Sequence, residues 1–248
     1  MKISQLRMAF TACMVINVMT QVVHAEEHAA DTKSGANATS DATSARGADS
    51  GTAPGYHHSF NHAEHWVKIF DDPERDTWQK REQVITSLKL HANDKIADIG
   101  AGTGYFSVPL AQSVKQGKVY AVDTEPDMVK YLGQLSKRKG LKNLIAIKAE
   151  TNDPKLPEKV NLALVVDTFH HIDSRVAYFS NLKRSLAPQA RLAIIDFTHE
   201  SKFGPPVEHR ISKEEVTREL KSAGYTLEEE FKFLPNQYFV IYRADATK

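Results

Sequence analysis

At 248 residues the chain can build one large domain or two small ones. Its 32 Lys and Arg balance 31 Asp and Glu, a formal charge of +1 that argues against the basic surplus of a dedicated nucleic-acid grip. Cys13 is the only cysteine, which excludes an intramolecular disulfide framework and a cysteine-based zinc site, and 41% apolar residues support a packed core while excluding collagen, coiled-coil and polytopic membrane classes.

The chain opens on an export signature. Lys2 and Arg7 give a positive start, Met8 to Val23 form a mostly apolar stretch, and Val23-His24-Ala25 puts modest and small residues at the −3 and −1 positions of a cleavage site. Asn17, Thr20 and Gln21 make the run too polar for a membrane span of ~20 residues. Residues 1–25 are therefore expected to be a signal peptide, with the mature chain periplasmic and without an integral membrane span. The alternative is a retained segment on a cytoplasmic or inner-membrane-tethered protein. Residues 26–55 contain nothing more apolar than Ala and Pro and are expected to be a disordered linker. That leaves 193 residues from Tyr56 to Lys248, with 28 basic and 26 acidic side chains, as one domain.

Residues 56–94 read as a helical N-terminal extension rich in aromatic and imidazole rings, from Tyr56 through Phe60, His65 and Trp66 to Phe70 and Trp78. It is expected to act as a lid over a site in the core or to frame one wall of it, with Trp66 and Trp78 as anchors. His58, His62 and His65 share a helical spacing. Surface histidines outnumber ligands, and no metal site is assigned.

From Lys95 onward, short apolar runs alternate with amphipathic stretches. The runs 96–99, 119–122, 144–147, 162–166 and 192–195 are almost continuously apolar, as strands buried on both faces are. Helices are expected between them over 104–114, 125–139 and 174–186, so the 95–248 core should be a doubly wound, mostly parallel α/β sheet. Thr124 is expected to cap the helix that Pro126 opens, and Ser174 or Asp173 the next. Ser212 and Glu215 make a capping box for a helix over 212–223 that Gly224 ends. Thr226 to Leu234 and Gln237 to Ala244, parted only by Pro235-Asn236, predict a closing antiparallel hairpin.

The stretch Asp98-Ile-Gly100-Ala101-Gly102-Thr-Gly104-Tyr105 lies between a strand and a helix, where an open α/β sheet binds nucleotide-like ligands. Glycines let the backbone turn tightly and let a ligand approach the main chain without a Cβ in the way. About twenty residues on, Asp123 closes the second strand, where a carboxylate accepts both hydroxyls of a ribose. The spacing is G-x-G-x-G, not the dinucleotide G-x-G-x-x-G, and position 105 is Tyr where that pattern needs a small residue. Asp98 would repel a pyrophosphate but could order an ammonium. A nucleoside carrying an amino group therefore fits better than a dinucleotide.

These residues resemble the class I S-adenosylmethionine-dependent methyltransferases. D-I-G-A-G-T-G is similar to the family's first motif, V-D-T-E-P-D-M at 122–128 to its second strand end, and the hairpin to its reversed seventh strand. The resemblance implies a Rossmann-like sheet of seven strands with the last antiparallel, and S-adenosylmethionine as methyl donor. It implies that Gly100, Gly102 and Gly104 line the methionine part, that Asp98 orders its amino group, that Asp123 holds the ribose, and that Ala101, Tyr105 and Thr124 also belong to the donor site. Glu150 would accept from the adenine amino group, with Asn152 and Asp153 as neighbouring substitutes, and Asp167 would support the loop or the donor. His170 and His171, just past the fourth strand, are the candidate general bases. The loop 198–211 with Gly204-Pro205-Pro206 is a second candidate wall of the acceptor pocket. A small or medium-sized acceptor is expected and nucleic acid is disfavoured by the near-neutral core. A catalytically silent binding protein and a nicotinamide-dependent oxidoreductase are the competing readings.

Overall fold

The computed structural model describes residue 60 and residues 63–245. The export signature, the linker and His58 and His62 lie outside the described residues. Three helices come first: α1 (Ala63–Phe70), α2 (Arg75–Gln79) and α3 (Arg81–Ser87). Strands and helices then alternate as β1 (Lys95–Ile99), α4 (Ser107–Ser113), β2 (Lys118–Asp123), α5 (Pro126–Arg138), β3 (Leu144–Lys148), β4 (Val160–Val166), α6 (Arg175–Leu182), β5 (Leu186–Phe197), α7 (Lys213–Ser222), β6 (Tyr225–Phe231) and β7 (Gln237–Ala244).

The seven strands form one sheet in the order β3-β2-β1-β4-β5-β7-β6. The first five are parallel, and β7 runs antiparallel to both β5 and β6. Alternate side chains of each central strand enter opposite faces. Ala97, Ile99, Ala163, Val165, Leu192 and Ile194 pack with Phe179 and Leu182 of α6 and Val216 and Leu220 of α7. Ile96, Leu162, Leu164, Ala193 and Ile195 pack with Val84 of α3, Leu88 at its C-cap, Leu110 of α4 and Leu132 of α5. Each Val, Leu, Ile and Phe among them contributes about 1.5–3 kcal/mol by leaving water, which is why the strands read as unbroken apolar runs. On the first face a buried pair, Arg175 Nε to Glu219 Oε2 at 2.7 Å and Nη2 to Oε1 at 3.0 Å, joins α6 to α7. A third, small cluster (Ala63, Trp66 and Met128 with Phe60, Phe70 and Tyr131) seats α1 on α5.

The punctuation partly follows expectation. Ser212 Oγ accepts from the Glu215 N–H at 3.2 Å, and Gly224 ends the turn after α7 with φ +84°. Thr124 does not cap α5; the N-cap position is Glu125, and Asp123 Oδ1 takes the Glu125 N–H at 2.9 Å because the carboxylate reaches forward two residues. Ser174 occupies the N-cap of α6 in a left-handed conformation, φ 43°, and makes no side-chain cap. The expected 174–186 helix stops at Leu182. A 3₁₀ turn (Lys183–Ser185) follows, and β5 starts early because Leu186 pairs with Val160 across a register shift. The closing hairpin turns over 232–236 instead of two residues, since Leu234 leaves the strand to enter the core.

Candidate active site

A parallel sheet whose order reverses direction at one strand leaves a crevice there, between connections that depart to opposite faces. Here β1 is that strand, with β2 on one side and β4 on the other. A cavity of about 530 Å³ opens over the carboxyl ends of β1, β2 and β4. Asp98, Gly100, Ala101, Gly102, Tyr105, Asp123, Thr124, Glu150, Asp167, His170 and His171 all line it.

The glycine turn is pinned by its own main chain. Gly100 and Ala101 both donate N–H bonds to the Val122 carbonyl, at 2.9 and 3.0 Å, which ties the turn to β2. Gly100 has φ +72°, and a Cβ on it would stand 2.2 Å from Thr168 Oγ1 on the neighbouring loop. Gly102, φ +52°, donates its N–H to Asp123 Oδ2 at 2.8 Å. Gly104 departs from expectation: it is absent from the cavity wall, and a Cβ there would meet Leu132 and Leu135 at 3.1 and 3.0 Å. Its bareness serves the approach of α5 to the turn.

Four strand ends carry an aspartate toward this edge. Asp98 is buried and accepts from Ser107 Oγ; burial pushes its carboxyl up to about 6, with the Ser107 bond opposing. Asp123 is raised by burial too, against the two backbone N–H bonds that favour its anion. Asp167, in a left-handed conformation with φ 53°, receives Arg75 Nη2 at 3.1 Å, Gln79 Nε2 at 3.2 Å and Gln237 Nε2. Burial holds it up at about 6, with the Arg75 charge pulling it down. Asp196, 2% exposed at the end of β5, faces His170: both carboxylate oxygens lie 2.9 Å from Nδ1. Glu150 stands at the exposed rim with Lys155 Nζ at 3.1 Å, and Thr124 is on the same rim.

The other half of the cavity is aromatic. Phe60, Trp66 and Phe70 pack on one another, with Trp66 stacked on Phe70 at 5.0–5.8 Å centroid separations across the trio. Trp78 stacks on Phe203 at 5.0 Å and 12° and lies beside Phe197. Gly204 and Pro205 complete this wall; a Cβ on Gly204 would meet the Phe197 ring at 2.5 Å. The N-terminal helices contribute side chains to this wall, and the loop after β5 does as well. Tyr105 is clamped between the guanidinium groups of Arg75 and Arg81, 4.1 and 4.3 Å above its ring, and donates its hydroxyl to Asp76. Burial, then the Asp76 bond, raises that phenol well above its ordinary range. Among the described residues, no group of three or more His, Cys, Asp or Glu could hold a metal ion, and no helix is long and apolar enough to cross a membrane.

Sequence reasoning missed Arg75, Asp196 and Thr168. One signal for Asp196 was present: like Asp123 and Asp167, it follows directly on a buried apolar run.

A family model described as a methyltransferase domain matches residues 90–229, more than half of the chain. The crystal structure of an S-adenosylmethionine-dependent methyltransferase from Aquifex aeolicus superposes with a TM-score of 0.67 at 32% identity, covering 72% of this chain and 97% of that one. Among curated relatives, the tRNA(Phe) (4-demethylwyosine(37)-C(7)) aminocarboxypropyltransferase of Methanocaldococcus jannaschii is 32% identical over 92 residues, 36% of this chain and 37% of its own. The (S)-coclaurine N-methyltransferase of Thalictrum flavum subsp. glaucum is 24% identical over 106 residues, 43% and 29%. The chain therefore spans less than two fifths of the length of these curated relatives. With the glycine turn, the strand-end acids and the reversed last strand in place, the chain belongs to the class I S-adenosylmethionine-dependent methyltransferases.

Proposed function

We propose that the protein transfers a methyl group from S-adenosylmethionine to a small or medium-sized acceptor by in-line displacement. The observation that carries this reading is one continuous cavity with two chemistries, bare backbone and carboxylates on one side and aromatic rings with an imidazole on the other. The donor supplies a methyl group on positively charged sulfur, already activated for displacement.

The residues present fit such a donor. A Cβ at Gly102 would meet nothing closer than the Phe70 ring at 3.6 Å, so the bare backbone there faces open cavity, and Asp98 is a buried carboxylate suited to an ammonium. Asp123 keeps unused lone pairs on both oxygens for ribose hydroxyls while its backbone bonds hold it still. Glu150 and Thr124 would meet the adenine and sugar edges at the rim. Asp167 binds no proton relay in this reading. It ties Arg75 and Gln79 of the N-terminal extension to β4 and β7, so the extension acts as a lid over the donor. The chain's main task is then to hold acceptor and methyl in line, worth about 7–11 kcal/mol of barrier when well oriented. His170, with His171 as the second candidate, takes the acceptor proton, a contribution of ~10²–10⁴-fold.

An aromatic chamber behind a lid supports a small acceptor, as does the near-neutral charge. The RNA named in the M. jannaschii relative is the competing acceptor. Calorimetric titration with S-adenosylhomocysteine and NAD, followed by transfer of a labelled methyl group to small-molecule pools and to bulk tRNA, tests the reading. Saturable binding of S-adenosylhomocysteine and label in the small-molecule fraction are expected. Binding of NAD alone would overturn the donor, and label confined to tRNA the acceptor. The export signature adds that the enzyme works outside the cytoplasm; intact Met1 on protein from the cytoplasmic fraction, read by mass spectrometry, would reject that addition.

A further inference from the structure

We propose that the acceptor is a flat aromatic hydroxyl compound and that Asp196 is the positioning residue that makes His170 its base. The inference rests on the methyl-transfer reading of the same cavity and names its substrate class.

A carboxylate only accepts hydrogen bonds, so Nδ1 of His170, 2.9 Å from both Asp196 oxygens, carries the hydrogen. In the neutral ring the basic nitrogen is then Nε2. The carboxylate is itself fixed: it accepts the backbone N–H of Phe197 at 2.8 Å and that of His170 at 3.3 Å. Ring and carboxylate thus lock the strand end of β5 to the 3₁₀ turn Phe169–His171. His170 is 3% exposed yet lines the cavity, whereas Asp196 stands behind it, outside the lining. Among the described residues, the titratable groups around the pair include His171, whose ring centroid is 4.2 Å away, Asp167 on the loop after β4, and Tyr238 of β7.

The rings of the wall reach this histidine pair. Phe60 meets His171 edge-on at 5.5 Å and 88°, and Phe60 in turn packs on Trp66 and Phe70. Phe197, next to Asp196, leads to Trp78 on the opposite side. Aromatic faces and edges of this kind favour a flat aromatic guest. Among hydroxyl acceptors, a phenol is several orders of magnitude more acidic than an aliphatic alcohol, so its proton passes to imidazole at lower cost. In the step, the phenolic O–H bond breaks and its proton passes to His170 Nε2. The oxygen forms the bond to the methyl carbon as the carbon–sulfur bond breaks, the electron pair stays on sulfur, and the proton then leaves His170 to water.

The test uses the full chain with a panel of one- and two-ring phenols, each paired with a nitro-substituted form that is ionised at neutral pH. Asp196→Asn and His170→Gln should bind S-adenosylhomocysteine within about twofold of the parent, read by calorimetry, which also reports that both are folded. Each should lower kcat for the ordinary phenols by ~10²–10⁴-fold with KM little changed, and lose less than tenfold on the ionised partners. Asp196→Glu should recover part of the loss. Equal losses on protonated and ionised phenols would overturn the base assignment and with it the role of Asp196. A parent protein that binds S-adenosylhomocysteine but methylates amines, thiols or aliphatic alcohols and no phenol overturns the acceptor class alone. A parent that binds no S-adenosylhomocysteine overturns the methyl-transfer reading beneath both.

Discussion

The two halves of the cavity are built in different ways. The donor half is backbone. Gly100, Ala101 and Gly102 are held by hydrogen bonds to Val122 and Asp123, so this half is a continuation of the sheet and shares its stability. The acceptor half is side chains, drawn from α1, α2, the turn after β4 and the loop after β5. Its N-terminal part rests on a separate cluster around Trp66 and Met128. Such an attached layer opens at lower cost than the sheet does, because fewer buried contacts must break. Under the proposed function, a donor site anchored in the sheet beneath a separately seated wall would let one scaffold hold its donor while the wall admits and releases acceptors.

The sharpest way to break this contrast is at the turn. Gly102→Leu, at a residue with φ +52°, adds a branched side chain that enters the cavity toward Phe70, and should weaken S-adenosylhomocysteine binding ~100-fold, measured by calorimetry. Normal binding would show that the ligand does not lie over the glycines. Asp123→Ala comes next. It leaves the N–H groups of Gly102 and Glu125 without their acceptor as well as removing the ribose partner, so ~10–50-fold weaker binding and a fall in Tm of several degrees are expected.

A third prediction concerns pH. Because burial raises Asp98 to about 6, well above an ordinary aspartate, the free protein takes up a proton there as pH falls from 7 to 5. That uptake stabilises the folded free chain at low pH, and the benefit is lost as pH rises through 6. An arriving ammonium needs the carboxylate instead, so affinity for S-adenosylhomocysteine should drop up to about tenfold per pH unit below 6. In Asp98→Asn the slope should vanish; a slope that persists in the variant would move the effect to another group. The smallest effect belongs to the acceptor wall: Trp78→Ala should raise acceptor KM about fivefold through loss of the Phe197 and Phe203 contacts, with donor affinity within twofold. If donor affinity falls as far as acceptor KM rises, the two halves are not separable.

Much of the donor half was legible in the sequence. Buried parallel strands announce themselves as apolar runs, and a turn that needs φ above zero shows its glycines. What misled was equally local: Gly104 shares the spacing of its neighbours but serves helix packing, and Thr124 looked like a cap that Asp123 supplies in its place. The hairpin connection was read too short because Leu234 is as apolar in the core as it would be in a strand.

By itself, then, the sequence determined the order of strands and helices, the reversed last strand, the glycine turn and the carboxylates at the strand ends. These follow from short-range backbone geometry and from which side chains avoid water. The tertiary structure alone decided that Asp196 meets His170, that Arg75, Gln79 and Gln237 converge on Asp167 across 92, 88 and 70 residues of chain, and that two distant segments share one aromatic wall. Pairings of that range depend on how completed elements stack, and no local preference encodes which side chains the stacking brings face to face.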